Sequence, residues 1–253
     1  MSPEQSFQVA GVDGCKAGWF IATTSVTMEN EIETYCEFNL KNVSIASTFA
    51  EVLSKTSDCK LVCVDIPIGL SDGDKPRECD GTARELLKGR RASSVFPSPI
   101  RPCLSAVDYE TASKISFERT GKKLTKQTFA LMKKIREVDD LMTPELQNRV
   151  REIHPEILFW ALNGQKPIEL NKKTVPGQAL RHKLLQEIFA DMDGILTQAP
   201  PHGYLMDDAL DALVAAWMAG QTVIGEAGTL PENPQFNSKG LKMEILCPTC
   251  YNQ

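Results

Sequence analysis

Phe7, Val9 and Gly11 alternate with Gln8 and Ala10, and the run ends at Asp13. A period of two predicts a strand, here one that closes on a carboxylate. GCKAG (14–18) predicts a turn, and WFIATTSVT (19–27), β-branched and aromatic, predicts a second strand. EIETYCEFNL (31–40) makes a third, so the chain should open with an antiparallel meander. Ser44 is placed to cap a helix over 45–55 with Ile45, Phe49, Val52 and Leu53 as its apolar stripe. In KLVCVDIPIGL (60–70), Leu61 to Val64 form an unbroken apolar run, the mark of a strand buried on both faces. It ends at Asp65, and Pro67 and Gly69 close it.

Residues 71–150 carry no matching strand pattern. ARELLKGRR (83–91) and the segment 110–142 predict helices, and Phe96-Pro-Ser-Pro, with Pro102 after it, predicts an extended, irregular piece. REIHPEILFWAL (151–162) begins like a strand and continues like a helix. GQALRHKLLQEIFADM (177–192) predicts a helix, and DDALDALVAAWMAGQ (207–221) is the clearest one. In the latter, Leu210, Leu213, Val214, Trp217 and Met218 fall at i, i+3, i+4, i+7 and i+8. LKMEIL (241–246) predicts a last edge strand. There is no internal repeat, and the expected organisation is one domain over residues 1–253 with a helical insertion at about 71–150.

Composition adds the following. The chain has 253 residues, 42% hydrophobic and 24% charged, which is ordinary globular composition. No apolar run approaches the roughly 18 residues that span a membrane, and the first residues lack a basic leader before an apolar stretch. These features predict a cytoplasmic protein without a membrane partner, whose scattered cysteines are thiols. Net charge is −5, yet residues 71–136 hold 15 Lys and Arg against 8 Asp and Glu. An acidic body with a basic middle segment suits contact with phosphate, although any one basic run also serves as a solvated helix face.

Carboxylates recur where the pattern calls for burial. Asp13 and Asp65 end strands of one expected sheet, Asp207, Asp208 and Asp211 open an amphipathic helix, and Glu156 follows His154 in HPE. A buried carboxylate must be paired, protonated or metal-bound. If the two strands are neighbours, their acids converge, and a hard divalent cation such as Mg²⁺ or Mn²⁺ relieves the repulsion. Two such ions suit phosphodiester cleavage. Each acid also has a plainer use: Asp13 in a turn before Gly14, Asp65 at the Ile66-Pro67 turn, Asp207 or Asp208 as a helix cap. Asp211, one turn inside its helix, is the hardest to explain that way, and helical spacing groups it with Asp207.

Three strands, a helix, a strand ending in an acid and a late helix opening with acids resemble the RNase H-like fold. DALDALVAA (208–216) is similar to the last-helix motif of RuvC-type Holliday-junction resolvases. GVDGCKAGW (11–19), VDIPIGL (64–70), RRASSVFPSP (90–99), HPEILF (154–159) and DDALDALVAA (207–216) together resemble a family of unknown function described as predicted RuvC-type, RNase H-like nucleases. The resemblance implies a mixed α/β sheet of three antiparallel strands followed by parallel ones, flanked by helices. It also implies a metal set of Asp13, Asp65, Asp208 and Asp211, with Asp208 rather than Asp207 matching the motif, and gives Glu156 a place without a resolvase counterpart.

Cations for a phosphate near those acids would come from Lys16, Arg77, Arg84, Arg90, Arg91, Lys172 and Lys173. His154 could act as an acid or base with Glu156, and Cys247 and Cys250 have the spacing of half a zinc site without a second half. The expected function is a metal-dependent nuclease on DNA or RNA, and a homodimer is compatible with it. The alternatives are a phosphotransferase or nucleotide hydrolase of the actin-like group, or a non-catalytic nucleic-acid-binding protein on the same fold.

Overall fold

The computed structural model describes residues 5–29, 35–73 and 75–249. The three opening strands are β1 (Gln5–Cys15), β2 (Gly18–Glu29) and β3 (Tyr35–Ala46), followed by α1 (Phe49–Lys55) and β4 (Leu61–Val64). After β4 come α2 (Glu78–Leu87), two 3-10 turns at Gly89–Ser94 and Arg101–Ser105, α3 (Tyr109–Thr120), α4 (Lys126–Leu141) and α5 (Pro144–Gln147). The chain then returns to the sheet in β5 (Val150–Glu152), which leads to α6 (Pro155–Leu162), α7 (Val175–Gln186), α8 (Met192–Leu196) and α9 (Met206–Val223). A hairpin of β6 (Ala227–Phe236) and β7 (Lys242–Pro248) ends the described chain.

The main sheet runs β3-β2-β1-β4-β5, with β1 to β3 antiparallel and β4 and β5 parallel to β1. Four helices, α2 to α5, are inserted between β4 and β5. This is the RNase H-like arrangement expected from the sequence. Side-chain alternation divides the core between the two faces of the sheet. Val9, Leu61 and Cys63 point to the face covered by α6 to α9, whereas Ala10, Val12, Val62 and Val64 point to the face covered by α1, α3 and α4.

α9 lies deepest. Ala209 to Gly220 are all buried, including the predicted stripe of Leu210, Leu213, Val214, Trp217 and Met218. Each such large side chain contributes about 1.5–3 kcal/mol on burial. The helix approaches β1 at Gly11, where an added Cβ would stand 2.0 Å from Ala212 O and 2.1 Å from Ala216 N. Only a residue without a side chain permits that contact.

Several local expectations are corrected. β3 continues to Ala46, so Ser44 and Ile45 are strand residues, and Thr48 caps the helix by accepting from Glu51 N. The pattern at 45–55 had merged the end of a strand with the start of a helix. The first four residues of the predicted third strand, 31–34, lie outside the described residues. The helix expected over 177–192 divides into α7 and α8, with a break at 187–191. The segment 110–142 divides at Gly121, whose φ of +72° ends α3. LKMEIL does form the last described strand, β7, an edge of a separate two-stranded sheet with β6. β6, with Pro231, Pro234 and no alternation, gave no strand signal.

Candidate active site

The register of β1 and β4 builds the centre of the site. Val12 pairs with Val64 in parallel, and Asp65 N donates to Val12 O at 3.0 Å. Asp13 and Asp65 are therefore the next residues on adjacent strands, roughly 4.8 Å apart in backbone spacing. Alternation sends both toward the α9 face, where Asp211 comes in from the helix. β5 continues the row: Val64 pairs with Glu152, Ile153 N donates to Val64 O at 3.1 Å, and His154 and Pro155 turn into α6 with Glu156 in its first turn.

The result is a cleft of about 630 Å³ lined by Asp13, Asp65, Asp207, Asp208, Glu156 and His154, and by Arg91, Lys134, Lys172 and Lys173. Asp211 is not part of this lining: it is fully buried and joined to it through Lys172, whose ammonium donates to its Oδ2, with no partner at Oδ1. Asp13 Oδ1 accepts from Gly14 N at 2.7 Å.

The acids feel one another. Burial, then repulsion from Asp65 and Asp211, holds the Asp13 carboxyl well above the usual carboxylate range. Burial pushes Asp65 up to about 6 against the pull of Lys172, with Glu156 adding to the rise. Burial also pushes Asp211 up to about 6, opposed by Lys172 and reinforced by Asp65. Lys172 answers in kind: burial disfavours its charge, but Asp211, Asp13 and Asp65 outweigh it and hold the ammonium charged.

The last-helix acids divide their work. Asp208 is partly exposed, and its Oδ2 accepts from Leu205 N at 2.8 Å, so one oxygen caps α9. Burial raises its carboxyl, and its charge reaches Asp13. Asp207 is buried and also lines the cleft. Glu156 is fixed by Arg181, whose Nη2 donates to Oε1 at 2.7 Å, and Arg91 stands 4.0 Å away. His154 is kept neutral by burial, with Nε2 3.4 Å from Ser94 O and Nδ1 without a partner.

The basic residues expected near the acids separate. Arg91, Lys172 and Lys173 line the cleft, but Lys16 is exposed and outside its lining. Arg77 is buried in a structural pair, 2.5 Å from Glu152 and 3.7 Å from Asp80, because an inward-facing carboxylate at the end of β5 needs a counter-charge. Arg84 donates from Nε to Val95 O and belongs to another cavity. The side chain of Arg90 lies outside the described residues, as does Cys250. Cys247 is buried on β7.

Sequence reasoning missed Lys134 and Arg181. Lys134 reaches the cleft from α4, donating to Gly18 O and lying 4.7 Å over the Trp19 ring. No local signal marks it. Arg181 did carry one: with Gly177 and Leu185 it forms the buried i, i+4, i+8 row of α7, where an arginine needs a buried acid.

The donor set fits a hard divalent cation in kind: clustered carboxyl oxygens whose charge burial disfavours and a cation would restore, one of them orphaned at Asp211. Among the described residues no group of three His, Cys, Asp or Glu side chains has the spacing to hold an ion as it stands, and the Lys172 ammonium provides the compensating charge.

A family model described as "Protein of unknown function (DUF429)" matches residues 11–235, which includes every acid of the cleft. The chain belongs to this family. No curated protein matches the DUF429 chain in sequence. Among solved structures it is similar to Thermus thermophilus RuvC, with 13% identity and a TM-score of 0.31 over 86% of this chain and 96% of that one.

Proposed function

We propose that this protein is a metal-dependent nuclease, hydrolysing phosphodiester bonds in DNA or RNA. The convergence of Asp13 and Asp65 from β1 and β4 in the cleft lining with the buried Asp211 of α9, all three carboxyls raised by burial and by neighbouring acids, carries this reading. Asp13, Asp65, Asp208 and Asp211 would hold one or two Mg²⁺ or Mn²⁺ ions. Bound there, such an ion would supply Lewis-acid polarisation of phosphate and would make a water acidic enough to lose a proton and attack as hydroxide.

The chain's own residues supply the rest. Arg91, Lys172 and Lys173 at the cleft wall bind phosphate oxygens. Lys134 adds charge on the α4 side. Glu156, clamped by Arg181, positions Arg91. Neutral His154 can take a proton at Nδ1. Residues 1–253 act as one unit in which the insertion at 71–150 walls the cleft through Arg91, Gln127 and Lys134. Cys15, Cys36, Cys59, Cys63, Cys79 and Cys103 are free thiols, in keeping with a cytoplasmic setting, and among the described residues no helix is long and apolar enough to cross a membrane.

The test is cleavage of labelled single- and double-stranded DNA and RNA with Mg²⁺ or Mn²⁺ and with chelator. The expected result is metal-dependent cleavage that Asp13→Asn abolishes without lowering the melting temperature. Cleavage that survives Asp13→Asn or the chelator refutes the assignment.

A further inference from the structure

A second cavity, of about 400 Å³, opens on the other side of the segment 93–99. Ser93, Ser94 and Phe96 line the acid cleft, whereas Pro97, Ser98 and Pro99 line this cavity. Its charge is the reverse of the cleft's. Lys75, Arg84, Arg119, Lys122 and Lys123 border it, and none of the five has a carboxylate partner among the described residues. The one acid in its wall, Asp80, is already engaged by Arg77 at 3.7 Å and by Ser98 N at 3.2 Å. Arg77 in turn is neutralised by Glu152, and its buried Nε lacks a hydrogen-bond partner.

Five like charges around one concavity repel one another, and a concave wall focuses their field on an anion. The volume lies in the range of small-molecule sites. Pro97, Pro99, Ile100 and Leu124 give the cavity apolar walls of the kind that take a sugar or base face. Arginine forks match phosphate oxygens. The short 3-10 turn at Gly89–Ser94 and the proline-stiffened irregular segment after it hold the cavity at a fixed offset from the acids.

We propose that this cavity is a nucleotide-phosphate site, taking either a free nucleotide or a nucleotide flanking the one at the acid cleft. The second form rests on the nuclease reading, since it gives the same strand a path past both cavities. Anion binding itself does not rest on it. Arg84, which the acid cleft does not use, then works here with four cations from α3, the 122–125 loop and Lys75.

The test is equilibrium binding, in chelator, of a fluorescein-labelled single strand of roughly 12 nucleotides and, separately, of adenosine monophosphate to the full chain. The double variant Arg119→Ala/Lys123→Ala removes two exposed cations. Lys41→Ala/Lys183→Ala removes two exposed cations outside the cavity lining and serves as the control. The cavity double variant is expected to bind the strand at least about tenfold more weakly and to reduce the slope of log affinity against log salt by about 1.4, with the control near wild type. Weakened adenosine monophosphate as well means that the cavity takes a free nucleotide, and an effect confined to the strand means a flanking one. Equal losses in the two double variants, or no binding of either probe to the wild-type chain, overturn the proposal. Absence of cleavage with any metal, alongside a selective loss of binding, would instead leave this site standing and remove the nuclease reading.

Discussion

Lys172 places its ammonium on the Oδ2 of Asp211, a carboxylate with no solvent exposure whose other oxygen has no partner. The lysine reaches in from the segment before α7 and provides, from within the chain, the positive charge that the clustered acids require. Removing it leaves Asp211 to protonate or to recruit another cation. Lys172→Ala is expected to lower stability by about 2 kcal/mol in chelator. Mn²⁺ should then raise the melting temperature of the variant more than that of wild type, because a divalent ion no longer competes with a resident charge. Equal Mn²⁺ shifts in thermal melts would disprove the competition.

The acids also set a pH dependence. Asp65 and Asp211 are raised to about 6 in the folded chain, and Asp13 is raised well above its ordinary value. Between the unfolded carboxylate range, about 4, and that value, the folded state binds more protons than the unfolded one. The stability these groups contribute is thus fully present below about pH 4 and is lost as pH rises through 6. Asp13→Asn removes one charge and eases its neighbours, so the decline should shrink by about 1–2 kcal/mol. Urea unfolding of both proteins at about pH 5 and pH 7.5 measures it; an unchanged decline would count against the shared pocket.

Gly11 decides whether α9 can bring Asp211 to the sheet at all. A Cβ there would meet the helix backbone at 2.0 Å, where no rotamer change offers relief. Gly11→Ala should cost about 3 kcal/mol or more and weaken metal binding as α9 is pushed away. Chemical denaturation and a metal titration monitor the two effects, and a wild-type denaturation midpoint would contradict the close approach.

Arg77 is expected to behave as a fold residue, not a phosphate ligand. Arg77→Met leaves Glu152 buried without its partner, and stability should fall by about 3 kcal/mol. The double variant Arg77→Met/Glu152→Gln should regain much of that loss. A double-mutant cycle in urea reads the coupling. A folded Arg77→Met protein of wild-type stability, binding nucleic acid tenfold more weakly, would reverse the assignment.

What the sequence determined by itself is what local periodicity writes: β1 and β4 ending on Asp13 and Asp65, the strand-to-helix change at His154, and the stripe of α9. Those signals are strong because each residue's side of a strand or helix follows from its immediate neighbours. The blocks around the acids also pointed to the sheet order that the structure shows. Local pattern was weak where one element runs into the next, as at Ser44, and silent for β6, whose pairing with β7 is made across a loop. Only the tertiary structure decided which charges meet. Arg77 and Lys172 are both basic residues outside any periodic pattern, yet one is consumed by Glu152 and the other lies over Asp211. Ion pairs between residues 39 or 75 positions apart depend on how whole elements pack, and burial then fixes which of them can stay charged.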